Sequence, residues 1–455
     1  MIQAEATEAE SRDAGAVGQD GDVAMEGDGD SQMTEGGAEG EQEEEFYTEG
    51  TKELLEARRE TARYSLPRAK ERLARQREAA NIPLRTHIRH RKRVKDRMAK
   101  FDLFGTQLAG DRSIGINRFS PSGKMIAAGN WGGGIKLLSV PNLEEKAALR
   151  GHTGIVSGMA WFPGSTLPNS NVSSSSVNIA SGGGGQGGSP DIHLWSLEQD
   201  TPLSTLNGHS DRVCRVEFHP SGRYLASASF DTTWRLWDVP TQTELLLQEG
   251  HSRQVYTVAF NGDGSLLASG GFDSIGRVWD LRTGRTVMIL DGHIREILAL
   301  DWAADGHRVL SGSGDGWAKC WDIRAVKCTS SIGAHKGNVS DLRWYKGDMS
   351  FDSSSSSSSS MSQTTNHAVA HPSDAPTSTT TSQSTSIPQP STSDTFFVSS
   401  GFDKSVNVFS ADDWALAASL TGHSGNVLSV DISQDANWIA SCGHDRTVKL
   451  WGLVE

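Results

Sequence analysis

Residues 207–238 read NGHSDRVCRVEFHPSGRYLASASFDTTWRLWD. Within and just beyond this stretch, four short runs (213–218, 224–227, 234–237 and 245–248) alternate apolar and polar residues and are parted by turn signals. That is the pattern of four half-buried antiparallel strands. The same text recurs along the chain. Gly-His dipeptides end at His152, His209, His251, His293 and His423, and an Ala-His at His335, with 42 residues between successive His from 209 to 335. Trp237, Trp279, Trp321 and Trp451 each lie 28 residues after their His. Trp195 and Phe409 take that place after 43 and 74 residues, and Leu138 takes it in a decayed first unit. Repetition at this period means a repeat architecture built from one supersecondary unit. The two long gaps hold Gly- and Ser-rich insertions at about 164–190 and 347–394, the second with eight consecutive Ser at 353–360. Such composition predicts disordered loops extruded from a repeat, not new domains.

These landmarks resemble those of WD40 repeat proteins. Seven units imply an all-β fold, a seven-bladed WD40 β-propeller over residues 101–455, with one four-stranded sheet per blade around a central channel. The last unit stops at Glu455, just after its third strand. Its fourth strand is expected from residues 102–108, which would close the ring and cover an open sheet edge.

Each full repeat contains a His, a Ser and an Asp, superficially a hydrolase triad. The sets are His209, Ser227, Asp231 and Trp237; His251, Ser269, Asp273 and Trp279; His293, Ser311, Asp315 and Trp321; and His423, Ser441, Asp445 and Trp451. His335, Ser399, Asp403 and Phe409 form an incomplete fifth. A catalytic triad is wanted once, at a cleft with an oxyanion hole. Repeated copies at fixed spacing are structural, and the WD40 resemblance implies tetrads that tie the inter-blade loop to the strands. Gly182–Gly188 lacks the Lys-Ser/Thr of a phosphate loop, and no His-Glu-x-x-His occurs among the 14 His. No catalytic residue, cofactor, metal or small-molecule substrate is expected.

Composition narrows the setting. Four Cys without paired spacing, at 214, 320, 328 and 442, exclude a disulfide framework and a Cys-based zinc site. No apolar run approaches the roughly 18 residues a membrane span needs, and no secretory signal is evident, so a soluble intracellular chain without a membrane partner is expected. The net charge of −13 hides an asymmetry: residues 1–50 carry −15 and residues 51–100 carry +11. Residues 1–45 read as a disordered acidic tail with too little apolar surface to fold. Residues 46–100 read as a short basic helical segment. One helix would carry Leu54, Leu55, Arg58, Arg59 and Ala62, a second would start at Pro67 and run to about Ala80, and a third would span roughly Arg89 to Lys100.

That segment narrows the resemblance. Tyr47-Thr48-Glu49-Gly50, Tyr64-Ser65-Leu66-Pro67-Arg68-Ala69, Arg72-Leu73 and Ile82-Pro83 are similar to the linker of the pre-mRNA-processing factor 4 family. Blade stretches agree, among them His219-Pro220-Ser221-Gly222-Arg223 and Gly276-Arg277-Val278-Trp279-Asp280-Leu281-Arg282. The resemblance implies the WD40 subunit of the spliceosomal U4/U6 small nuclear ribonucleoprotein (snRNP), a non-enzymatic scaffold in assembly of the U4/U6·U5 tri-snRNP and in splicing. It implies a partner pre-mRNA-processing factor that grips paired U4/U6 snRNA, association with that RNA directly or through the partner, and in some lineages a cyclophilin-type prolyl isomerase. It also implies residence in the nucleoplasm and nuclear speckles. Family members carry a small splicing-factor domain upstream of the linker. Here the acidic tail stands in that place, as a true loss or a truncated gene model, and functions tied to that domain are not expected. The alternative is a WD40 scaffold of another nuclear complex, a ubiquitin-ligase substrate receptor or a chromatin adaptor.

Two sets of residues are candidates for binding. Arg85, Arg89, Arg91, Lys92, Arg93, Lys95, Arg97 and Lys100 suit phosphate contact or a nuclear import signal, and no aromatic interleaves with them for base stacking. On the propeller, Arg212, Arg253, Arg295 and Lys336, with Trp131, Phe230, Phe272, Phe402 and His444, fall in loops that share one face. Arg and aromatic side chains around a channel mouth are the composition of a protein-binding surface; the alternative is that the Phe rings pack within their own loops.

Overall fold

Two helices precede the strands. Helix α1 (Lys52–Ala80) starts at Thr51, whose hydroxyl accepts from the Leu54 amide at 3.2 Å, and α2 (Leu84–Met98) follows after Pro83. The computed structural model describes residues 50–185, 187–349 and 390–453. The acidic tail at 1–45 and most of the 347–394 insertion, including its Ser run, therefore lie outside the described residues.

The described strands form seven four-stranded antiparallel sheets, numbered here as blades 1 to 7: 114–149, 155–206, 213–248, 255–290, 297–333, 339–421 and 427–453. Blade 7 has three strands of its own and takes its fourth from β1 (Phe101–Leu108), which pairs antiparallel with Thr447–Leu453 from Phe101↔Leu453 to Leu108↔Thr447. The expected closure is therefore present, and it joins the propeller's first and last strands through backbone hydrogen bonds. Strands alternate apolar residues toward neighbouring blades, so the core is a series of clusters between blades. Ala226, Trp234, Val255, Leu267 and Trp279 fill one between blades 3 and 4, for example.

Two expectations need correction. The first concerns residues 164–190. Ile179–Gly184 is the second strand of blade 2, buried throughout, and the loop before it is closed on itself. Asn178 Nδ2 donates to the carbonyls of Ser173, Ser174 and Ser176 at 2.8–3.1 Å, and its Oδ1 accepts from Ser165 at 2.6 Å. Gly-rich composition suggests a loop, but Gly182 packs where a Cβ would come 2.5 Å from Val213, so small residues there reflect close blade packing.

The second concerns Pro67. A proline removes a backbone donor and favours a break, yet α1 runs unbroken through it. Tertiary contacts hold the helix on both sides. Before Pro67, Glu60 accepts from Arg223 Nη1 at 2.6 Å and from Tyr224 Oη at 2.7 Å. After it, Arg72 Nε donates to Asp263 at 2.8 Å and Nη1 to the Asp305 carbonyl at 2.7 Å.

Candidate functional site

The two helices form a strap across one face. Because strand direction alternates, the turns after each first and third strand gather on that face, and these are the turns the helices grip. Leu54 and Ala57 seat between blades 3 and 4. The Tyr64 ring lies 5.3 Å from His219, with the Arg68 guanidinium over it at 4.0 Å. Two turn glycines make the close approach possible: a Cβ on Gly284 would come 2.3 Å from Arg58 Nη2, and one on Gly306 would come 2.8 Å from Arg72 Nε, both at positive φ. Further along, Val94 and Met98 enter the core with Phe396, Val406, Ile439 and Trp451. The basic segment is thus part of the folded body.

Docking divides the basic candidates. Arg91 pairs with Asp412, Lys95 Nζ lies 2.8 Å from Asp413, and Arg97 Nη2 donates to Asn437 at 2.6 Å. The Lys95 hydrogen bond holds the Asp413 carboxyl down to about 2. Arg85, Arg89, Lys92, Arg93 and Lys100 face solvent. Within α2 the first four recur at helical spacing and form one outward cationic face.

The loop candidates sit on the opposite face and split into two groups. Phe230, Phe272 and Tyr256 pack together, with ring centroids 5.5–6.4 Å apart, and Arg212 lies 5.6 Å over Phe230 while its Nε donates to Ser157 Oγ at 2.8 Å. Trp131 meets His444 edge-on at 5.0 Å, and His444 Nδ1 hydrogen bonds Ser113 at 3.0 Å. Trp131, Arg212, Tyr256 and Phe402 line a narrow mouth of about 50 Å³. Arg253, Arg295 and Lys336 stand exposed outside it, with Arg295 3.5 Å from Glu296. Tyr256 was missed: it is the second residue of an inner strand, where the other blades carry Gly115, Ser157, Cys214, Leu298, Ser340 and Leu428.

The tetrads have one geometry. His Nδ1 binds Asp at 2.7, 2.8, 3.0 and 2.7 Å for His209, His251, His293 and His423, and Nε2 binds Ser Oγ at 2.7–2.8 Å. In each, the Trp indole N–H donates to the same Ser Oγ at 2.8 Å. The Ser is fully buried, so the oxygen a hydrolase would use is occupied and closed to substrate. Burial alone would raise the Asp carboxyls, but the His hydrogen bond and neighbouring donors hold those of Asp231 and Asp445 well below the usual range. In blade 6 the His335–Ser399 bond is 2.8 Å, with Phe409 in place of the donor. Blade 2 holds a further set that spacing hid: His152 Nε2 binds Ser181 at 2.6 Å, and Trp195 Nε1 donates to it at 2.7 Å. Among the described residues no Asp completes it. Burial and the His193 ring 4.2 Å away drive His152 down to about 3. Ser181 precedes its Trp by 14 residues instead of 10, which is the detectable signal.

A buried ion network spans the channel. Asp341 of blade 6 accepts from Arg118 of blade 1 at 3.0 Å, from Arg215 of blade 3 at 3.2 Å and from Ser429 of blade 7 at 2.7 Å. Burial opposes the charge, but Arg118, Arg215 and Arg343 keep the Asp341 carboxyl well below its usual range. On the strap side the channel widens to about 470 Å³, lined in part by Glu217, Asp301, Arg343, Lys346 and Asp431. Burial pushes the carboxyls of Glu217 and Asp431 up. Among the described residues no group of three or more His, Cys, Asp or Glu could hold a metal, and no helix is long and apolar enough to cross a membrane.

The family model described as WD domain, G-beta repeat matches residues 200–238, 242–280, 284–322 and 414–452, the four blades with complete tetrads. An uncharacterized WD repeat-containing protein of Schizosaccharomyces pombe is 41% identical over 206 residues, 45% of this chain and 43% of that protein. The U4/U6 small nuclear ribonucleoprotein PRP4 of Saccharomyces cerevisiae is 40% identical over 417 residues, 90% of this chain and 78% of that protein. The chain belongs to the Prp4 family. The human U4/U6 small nuclear ribonucleoprotein Prp4 is 36% identical over 127 residues, 28% of this chain and 24% of that protein. The chain thus spans under half the length of the fission-yeast and human relatives and most of the budding-yeast Prp4. The resemblance to that family is thereby confirmed.

Proposed function

We propose that the chain is a non-enzymatic scaffold subunit of the U4/U6 snRNP and of its tri-snRNP with U5, acting in spliceosome assembly and pre-mRNA splicing in the nucleus. The observation that carries this reading is the 40% identity over 417 residues with a yeast protein named for that particle. The tetrads support the non-enzymatic part, since each Ser Oγ is already taken by an indole and a His. In this reading the outward face of α2, with Arg85, Arg89, Lys92 and Arg93, contacts phosphates of U4/U6 snRNA or its import receptor. The mouth at Arg212, Phe230, Phe272, Trp131, Phe402 and His444 takes the partner pre-mRNA-processing factor. A cyclophilin-type isomerase is a further partner. Depleting the chain from splicing-competent nuclear extract tests this. The tri-snRNP should vanish from a glycerol gradient and reporter splicing should stop until the full chain is restored. An intact tri-snRNP after depletion would refute it.

A further inference from the structure

The blades can be compared position by position, because each repeats the same text. The residue after the tetrad His is Thr153, Ser210, Ser252, Lys336 or Ser424, polar in each, but in blade 5 it is Ile294. The residue two after the tetrad Asp is Thr233, Ile275, Ser405 or Thr447, but in blade 5 it is Trp317. The residue two before the next blade's His is polar elsewhere (Arg150, Asn207, Glu249, Asp291, Thr421), but at the end of blade 5 it is Gly333. Three departures from the repeat fall at one place.

The structure brings them together. The backbone amides of Ile294 and Trp317 donate to the two oxygens of the same Asp315 carboxylate, at 3.2 and 2.9 Å. Trp317 pairs across the sheet with Gly333, whose missing Cβ would lie 4.0 Å from the six-membered ring of the indole. The glycine thus leaves the Trp317 ring an open seat on the sheet edge. Ile294 is 87% exposed and Trp317 46% exposed. An isoleucine and an indole held this far in water, with nothing in the fold that needs them there, mark a contact surface more than a packing one. Cations flank the pair. Arg295 follows Ile294, and Lys336 follows His335, whose amide bonds Gly316 beside Trp317 at 3.1 Å. The Lys336 ammonium makes no ion pair among the described residues. A large aromatic beside Arg, rimmed by an un-neutralised cation, is the makeup of an interface hot spot.

We propose that the rim of blade 5, formed by Ile294 and Trp317 between Arg295 and Lys336, docks a peptide segment of a partner protein that inserts a large apolar side chain flanked by carboxylates. The segment's apolar anchor covers the indole and isoleucine, and its Asp or Glu side chains meet Lys336 and Arg295. This is a site separate from the channel mouth and from α2.

The probe is a phage-displayed library of random 12-residue peptides, panned on the full chain and counter-selected on the full-length variant Ile294→Ser/Trp317→Thr. That variant restores residues that other blades carry, so it should melt like the wild type. Peptides that survive counter-selection should carry an aromatic or Leu beside Asp or Glu. Their affinity should fall at least about tenfold in the variant, the effect of removing a hot-spot residue, and also in Lys336→Glu, while Ile88→Ser on α2 changes nothing. Selected peptides that lack carboxylates, or that bind the variant equally, would overturn the proposal. So would a dimer of the full chain that the variant dissolves, or a zero-length crosslink from Lys336 to a carboxylate in residues 1–45, which would assign the rim to a second copy or to this chain's own acidic segment.

Discussion

Replacing Asp341 with Asn should destabilise the propeller without touching any surface. The carboxylate is 3% exposed and accepts from two guanidiniums that are themselves 7% and 8% exposed, those of Arg118 and Arg215. These side chains come from blades 1, 3 and 6, so the carboxylate neutralises charge contributed across the channel. Removing one member of a buried ion pair costs about 3–5 kcal/mol, because the other charge stays buried and unpaired. Here two cations lose their anion, and Arg118 already has Nε and Nη2 without hydrogen-bond partners. Asn keeps the shape and one acceptor, which returns about 1 kcal/mol. The expected net loss is roughly 2–4 kcal/mol, or a fall in Tm of about 3–6 °C for a domain of this size. Urea denaturation followed by Trp fluorescence, with a parallel thermal scan, reads it. The sharper arm is rescue. Asp341→Leu combined with Arg118→Met and Arg215→Leu removes all three charges and should recover most of the loss, since buried ion triads are often replaceable by apolar side chains. An Asp341→Asn variant that melts within 1 °C of wild type, or a triple variant no more stable than the single one, would refute the reasoning.

Three further outcomes follow from the structure. Met98→Ala should cost about 2–5 kcal/mol in urea denaturation, the usual range for truncating a buried side chain; a neutral effect would mean that α2 is not docked. For His219, burial lowers the folded pKa from the usual 6.5 to about 4, so the unfolded chain binds more protons between these values and acid weakens the fold. The stability gap between wild type and His219→Gln should therefore shrink from pH 7 to pH 4, by up to roughly 3 kcal/mol at about 1.36 kcal/mol per pKa unit; a gap that does not move contradicts a neutral, buried His219. Neutralising Arg85, Arg89, Lys92 and Arg93 to Gln should weaken binding of a single-stranded RNA oligonucleotide and flatten its log–log salt slope by up to about 2.8, at roughly 0.7 per phosphate contact; an unchanged slope would place RNA elsewhere.

What could be read from the sequence was whatever repeats. The 28-residue His-to-Trp interval located blades 3, 4, 5 and 7, and the truncated last unit pointed to β1 as the closing strand. Blade 2 blurred because it holds eleven extra residues between His152 and Ser181 and four more between Ser181 and Trp195, and a Gly-rich strand has the composition of a loop. The strap's docking was not legible. Its contacts join residues far apart in sequence, 163 for Arg223–Glu60 and 191 for Arg72–Asp263, and nothing periodic marks either end. Local rules at Pro67 argued for a break that those distant contacts override. The channel network was hidden for a related reason. Asp341 occupies a position that holds Ile116, Gly158, Arg215, Thr257, Ala299 and Ser429 in the other blades, so the repeat preserves the place and not the chemistry. Of the binding candidates, residue type and face were legible, but which cations the propeller's own Asp412 and Asp413 would take was not.

The central claim is membership of a splicing particle, and RNA identity tests it most directly. The full chain, tagged in its native cells and purified at about 0.15 M salt, where phosphate contacts persist, should retain U4 and U6 RNAs, with U5 in part, when the bound RNA is sequenced. Recovery of an intact nuclear protein with no enrichment of these RNAs would contradict the account and leave a WD40 scaffold of some other complex.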